Sequence, residues 1–343
     1  MAKLVKTLGY ELDTPCITPH YQPAVLVELA LSRDVSEYHL LKGTRLQLGD
    51  FEQAEERISP DQYLTLIKNC QKLTDADDIS FLYGQRLFPG FYGSVSQALQ
   101  QANNLRQAIT ILCEYHAILS PLFTPRYYEN DDELFLYWVD STGSIEQHRF
   151  IIESYMSAFV SMVAWLAGEK MPWHFEFSYD EPEYVEQYWV NFGQDIRFNQ
   201  QMNRIRLPRY CLDTPWPNAS KFGMQGALKE SDKQLSEEYS PYSFLDQIYS
   251  YLQSHIDEPL NLDKVSFSFG LSPASMKRKL KKHQTSFQQQ LDLVRKHTAI
   301  YLYEVKQMNS QEIAEYLCFN DMNNFRRAFK RWTGSSPYHL FAQ

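Results

Sequence analysis

Apolar positions in the first 120 residues recur at helical spacing. Ser59-Pro60 reads as an N-cap followed by proline at the first helical position, and Tyr63, Leu64, Ile67, Cys70 and Leu73 then share one face. Leu99 to Leu119 repeats the pattern as a second helix. After Pro121 the texture changes. Arg126-Tyr127-Tyr128, an Asn130-Asp131-Asp132 turn, and the aromatic and β-branched run Leu134 to Val139 predict a hairpin. Gln147 to Ala167 is again helical, and His174 to Tyr179 alternates like a strand. Arg204 to Leu207 is expected to pair with Ile196 to Phe198. Residues 1–213 therefore predict a mixed α+β domain.

Residues 214–240 hold two prolines, small residues and then a charged run, which offer little apolar surface to bury and are expected to form a linker. Residues 241–343 return to helical periodicity and contain a duplication. Met276-Lys277-Arg278-Lys279-Leu280-Lys281-Lys282 and Phe325-Arg326-Arg327-Ala328-Phe329-Lys330-Arg331 both read apolar, basic, basic, any, apolar, basic, basic. Upstream, Val265-Ser266 and Gly270-Leu271 correspond to Ile313-Ala314 and Cys318-Phe319, so the copies differ by one residue in the turn between helices. Each copy predicts a short helix, a turn and a second helix, with Ser286 to Val305 as a connecting helix that holds the two units about one DNA turn apart.

On a helical wheel with Met276 or Phe325 at the origin, Ala274, Arg278 and Lys281, and likewise Asn323, Arg327 and Lys330, fall roughly 140–200° away. The outward faces are short and basic. That suits a helix in the major groove, where arginine pairs with guanine edges and asparagine with adenine. The base-reading candidates are Ala274, Lys277, Arg278, Lys281, Asn323, Arg326, Arg327 and Lys330; Lys282 and Arg331 are candidates for phosphate. One copy alone would read equally well as a solvated amphipathic helix, and the duplication tips the reading toward DNA.

Charge sharpens this. The chain carries −9 overall, but residues 241–343 hold 13 Lys+Arg against 9 Asp+Glu, or +4, and the remainder is −13. A basic module on an acidic body suits local attraction to a polyanion. The five cysteines lie far apart, with no disulfide framework or zinc spacing, and His116, His148 and His174 lack metal-like spacing. No cofactor, metal site or catalytic residue is indicated; glycine-rich phosphate loops, HExxH and nucleophile elbows are absent. The N-terminus lacks a signal-peptide core, and the longest apolar segment, Met156 to Ala167, is too short to span a bilayer, so a cytoplasmic protein without membrane contact is expected.

Ser310 to Pro337, with Ile-Ala, a turn before Phe, Phe-x-Arg-x-Phe-Lys and then Gly-x-Ser-Pro, resembles the signature stretch of AraC/XylS regulators; Leu262, Ser272, Arg278, Arg295 and Ala299 extend the likeness upstream. Cys318 stands at the usual turn glycine, Ser266 at a usual alanine and Thr285 at a usual glycine; such exchanges are tolerated where the backbone does not require positive φ. Phe88 to Ser94, Phe192-Gly193 and Ile196 to Phe198 are similar to the sensory half of the ornithine-utilisation-regulator-like branch, with its arabinose-binding-type domain.

The resemblance implies an α+β N-terminal sensory domain joined to an all-α DNA-binding domain with two helix-turn-helix units. It further implies an activator that binds double-stranded promoter DNA, engages RNA polymerase, forms a homodimer and responds to a small-molecule effector. No effector contact is assigned. Control by a partner protein is the alternative reading, and a DNA-repair enzyme with the same DNA-binding module a more distant one.

Overall fold

Capping chemistry sets the helix starts. Ser59 accepts from the Gln62 amide while Gln62 Oε1 accepts the Ser59 amide at 2.9 Å, a reciprocal cap that opens the helix at Pro60. The computed structural model describes residues 8–53, 56–237 and 242–338. Its first part is helical: α1 (Gln22–Leu31), α2 (Glu37–Leu40), α3 (Pro60–Thr74), α4 (Ile79–Leu87), α5 (Ser94–Gln100), α6 (Leu105–Glu114) and α7 (His116–Leu119). The helix expected from Leu99 to Leu119 is thus broken. Asn104 leaves helical conformation and accepts the Gln107 amide at 3.0 Å, a restart that apolar spacing does not register.

The hairpin forms as expected from β1 (Phe123–Glu129) and β2 (Glu133–Asp140), followed by α8 (His148–Ala167), β3 (His174–Glu176), α9 (Val185–Phe192), β4 (Ile196–Arg197) and β5 (Arg204–Pro208). The sheet order is β1-β2-β5-β3-β4. The expected pairing of 204–207 with 196–198 is not made. Strand β3 lies between them, with Phe175 opposite Ile205 on one side and Ile196 on the other, so β4 joins the sheet as a parallel edge.

Helix α8 is longer than the Met156 to Ala167 run and is long and apolar enough to cross a membrane, yet it forms the centre of the core, buried along most of its length. It lies close against α4 because residue 84 is glycine: a Cβ there would meet the Ser154 carbonyl oxygen at 2.3 Å. Ser154 and Ser157 hydroxyls donate to the Ser80 and Phe81 carbonyls across the same contact.

Strand β2 explains its own unbroken apolar run. Leu134, Leu136 and Trp138 enter the core around α8, whereas Tyr137 and Val139 join a second core built by the C-terminal helices. A sheet covered on both faces needs apolar residues at successive positions rather than alternate ones.

The stretch 214–240 is more ordered than a slack linker. It contains α10 (Lys221–Glu237), in which Met224 and Ala227, three residues apart, are buried against α5. Its end at 238–240 lies outside the described residues. The second part comprises α11 (Phe244–Ser254), α12 (Leu262–Ser268), α13 (Pro273–Lys282), α14 (Phe287–Glu304), α15 (Ser310–Tyr316) and α16 (Met322–Thr333).

Candidate nucleic-acid interface

The two helix-turn-helix units are built alike. Asn261 caps α12 by accepting the Lys264 amide at 2.8 Å; Asn309 caps α15 with Glu312 in a reciprocal cap. These two asparagines are a second mark of the duplication that the apolar pattern does not reveal. The turns match too: the Leu271 amide donates to the Ser266 carbonyl at 2.9 Å, and the Phe319 amide to the Ala314 carbonyl at 2.8 Å. Ser272 and Asp321 then cap α13 and α16. The extra residue of the second unit is Asn320, between Phe319 and its cap.

The turn position does require positive φ, contrary to the premise that Cys318 substitutes freely. Gly270 adopts φ +65° and Cys318 φ +56°. The second unit keeps its turn with a side chain in the left-handed region, where an L-residue is strained by about 1–2 kcal/mol. Glycine's larger freedom when unfolded offsets about 0.5–1 kcal/mol of that. Cys318→Gly is therefore expected to raise stability by about 0.5–1 kcal/mol in chemical denaturation, and Cys318→Val to lower it. A destabilised Cys318→Gly would contradict this reading of the turn. Thr285 causes no such strain; the neighbouring Gln284 takes the left-handed conformation at φ +53°.

Met276 and Leu280 anchor α13, and Phe325 and Phe329 anchor α16, each essentially fully buried. Ala274, Lys277, Arg278 and Lys281 are exposed on α13; Asn323, Arg326, Arg327 and Lys330 are exposed on α16. Among the described residues Arg327 makes one hydrogen bond, to Asn324 Oδ1 at 3.2 Å. Arg326 diverges from its group: it also lines a groove with Tyr303 and Glu304, on the side of the sheet. Helix α14, about 27 Å long at 1.5 Å per residue, carries both units. Arg295 on it lies over the Phe319 ring at 4.9 Å, bracing the second turn.

Both phosphate candidates are engaged within the protein. Lys282 pairs with Asp13, and with Glu11 at 3.3 Å; Lys279 also pairs with Glu11. Arg331 pairs with Asp292 at 3.1 Å. Burial alone would raise the Glu11 carboxyl, but Lys279 and Lys282 hold it below its usual range, and the hydrogen bond from Lys282 does the same for Asp13. The contact thus persists above the ordinary carboxylate range and is lost as pH falls through these depressed values. Contacts more than 260 residues apart in sequence leave no local signal.

The C-terminal helices are docked on the sheet by a charged network. Arg204 on β5 is buried and grips Glu304 at the end of α14 in a two-pronged contact of 2.7 and 2.8 Å. It also reaches Tyr128 at 2.8 Å and the Glu176 carboxylate. Burial would raise Glu176, but Arg204 and Arg206 hold it low and ionised. Arg126 pairs with Asp246 at 2.7 Å and lies over the Tyr249 ring. Gly143, at φ +85°, lets the loop after β2 touch the first unit: a Cβ there would meet the His283 carbonyl oxygen at 2.1 Å.

Residues 35–216 match the family described as the arabinose-binding domain of AraC transcription regulators, and residues 266–343 match a helix-turn-helix domain. The chain belongs to the AraC family of transcription regulators. It is 26% identical to the ornithine utilization regulator of Pseudomonas aeruginosa, over 94% of this chain and 95% of that one. An uncharacterized HTH-type transcriptional regulator of Mycobacterium tuberculosis is 21% identical over 93% of this chain and 94% of its own. The crystal structure of the transcriptional regulator CdpR from Pseudomonas aeruginosa is similar over 98% of this chain and all of that chain, at 18% identity and a TM-score of 0.40. As in that family, an α+β N-terminal domain precedes a helical DNA-binding region.

Proposed function

We propose that this transcription regulator is a cytoplasmic activator that grips promoter DNA with both units, works as a homodimer with RNA polymerase, and is controlled by a small molecule held in its N-terminal domain. The observation that carries the DNA reading is the pair of capped helices, α13 and α16, whose buried anchors leave equivalent basic faces exposed. Ala274, Lys277, Arg278, Lys281, Asn323, Arg326, Arg327 and Lys330 read base edges, and Lys282 and Arg331 take phosphates. The functional division is 1–213 for sensing and dimerisation, 214–240 as the connection, and 241–343 for DNA.

Effector control is supported by the docking network. A ligand that shifts the sheet changes the seat of α14, so the docked and DNA-bound arrangements differ in ligand affinity. The test is a reporter fused to the promoter that the protein binds. Ornithine is the first compound to try, given the name of the Pseudomonas relative. Expression that rises with protein and effector together supports the reading; repression, or indifference to every compound that binds the protein, overturns it.

The Lys282 ion pairs must open before that side chain can reach a phosphate. Exposed pairs of this kind contribute about 0.2–1 kcal/mol, so Glu11→Gln/Asp13→Asn is expected to tighten DNA binding up to about fivefold. Its salt dependence is expected to steepen, because no carboxylate recaptures cations on release. Unchanged affinity and slope in a filter-binding titration would remove Lys282 from the interface.

A further inference from the structure

The seam between the sheet and α14 does not close completely. A cavity of about 160 Å³ remains, walled by Asp140, His148 and Asn203 on the sheet side and by Lys296 and His297 on the helix side. It is smaller than the roughly 300–1,000 Å³ of sites for drug-sized ligands. It is larger than one or two waters need at about 30 Å³ each.

Most of its polar groups are already engaged. Asp140 accepts the amides of Thr142, Gly143 and Ser144, each at 2.8 Å, closing the turn after β2. Asn203 Oδ1 takes the Ser178 amide at 2.7 Å, and its amide nitrogen meets His148 Nε2 at 3.0 Å. His297 Nδ1 meets the Tyr249 hydroxyl at 2.8 Å. Burial lowers both imidazoles, His297 most, which keeps them neutral.

Lys296 differs. Its ammonium has three donors but, among the described residues, one acceptor, the Gln201 carbonyl at 3.0 Å, and no carboxylate. The residue keeps some surface, yet burial pulls its pKa down to about 8, so at neutral pH it is mostly a cation with no ion pair among the described residues, the Asp140 carboxylate on the cavity wall being taken up by backbone amides. A desolvated ammonium is costly unless paired. Val139, Met202 and Leu293 supply apolar walls beside it, which suit a short hydrocarbon better than a bare inorganic ion.

We propose that this interdomain cavity binds a small organic carboxylate, whose anionic oxygens are held by Lys296 and whose short chain lies against the apolar walls. Because its walls come from both the sheet and α14, an occupied site ties the DNA-reading helices to the N-terminal domain. The proposal rests on the seam itself and stands apart from the assignment of base-reading residues; failure to find an operator leaves it intact.

Propionate is the probe, titrated by calorimetry into the full-length protein at constant ionic strength, with 1-propanol and chloride as comparisons. The expected result is saturable propionate binding at one site per chain and a raised melting temperature. Lys296→Met should lose tenfold or more in affinity, and 1-propanol and chloride should not compete. If Lys296→Met does not fold, the amine of the unaltered protein is followed by NMR: its pKa is expected to rise when propionate saturates the site. Absence of saturable binding, equal binding by Lys296→Met, binding of chloride as tight as propionate, or an amine pKa unmoved by propionate would each overturn the proposal.

Discussion

Arg327→Ala is expected to weaken binding to the cognate DNA site by about 1–3 kcal/mol, roughly 5- to 150-fold, while nonspecific binding changes little. The side chain is exposed on α16, at the middle of the outward face, and among the described residues its one hydrogen bond is to Asn324 at 3.2 Å. Removing it orphans no buried group, so folding should not change. Competition titrations against matched and scrambled duplexes separate the outcomes. A loss of equal size on every sequence would reduce Arg327 to a phosphate contact. The same experiment on Arg326, which also faces the groove beside Tyr303 and Glu304, asks whether that residue reads bases or serves the seam.

Arg204→Met is expected to have the largest effect on stability. Arg204 is 4% exposed and is shared by Glu304 and Glu176, so its removal leaves Glu304 without a cationic partner among the described residues and Glu176 with Arg206 in place of two guanidiniums. Breaking a buried pair from one side costs about 3–5 kcal/mol. Glu304→Gln should cost less, because Arg204 retains Glu176 and the amide still accepts a hydrogen bond. Urea unfolding of both variants gives the comparison. Equal, small losses from Arg204→Met and Glu304→Gln would mean that the network does not hold the domains together. With the seam weakened, Arg204→Met is also expected to blunt any effect of an effector on DNA affinity, since α14 no longer follows the sheet.

The DNA-binding half was legible because its information is local and repeated. A basic pattern recurring with two buried anchors fixes helix, face and orientation within seven residues, and the structure buries Met276, Leu280, Phe325 and Phe329 accordingly. The hairpin was legible from its turn residues and from the run Leu134 to Val139. That run also carried a message not drawn from it: six successive apolar positions mean two covered faces, and the second cover is the DNA-binding region itself. The order of the remaining strands was hidden, since β4 spans two residues and pairs through an intervening strand of three. Asn104 and α10 were missed for a related reason. A cap or two buried apolar residues shift local structure without altering average polarity. Cys318 shows the converse: its family position was recognised, but the φ that makes it matter belongs to the backbone. Long-range ion pairs such as Lys282 with Asp13 and Arg204 with Glu304 have no sequence signature at all.

The most direct test of the central claim is to titrate the full-length protein against genomic fragments, including DNA beside its own gene, at low and physiological salt. Selective binding to a few fragments is expected, falling steeply as salt rises because lysine and arginine displace the counterions of phosphate. Equal affinity for all fragments, or none for any, from protein shown to be folded would contradict it.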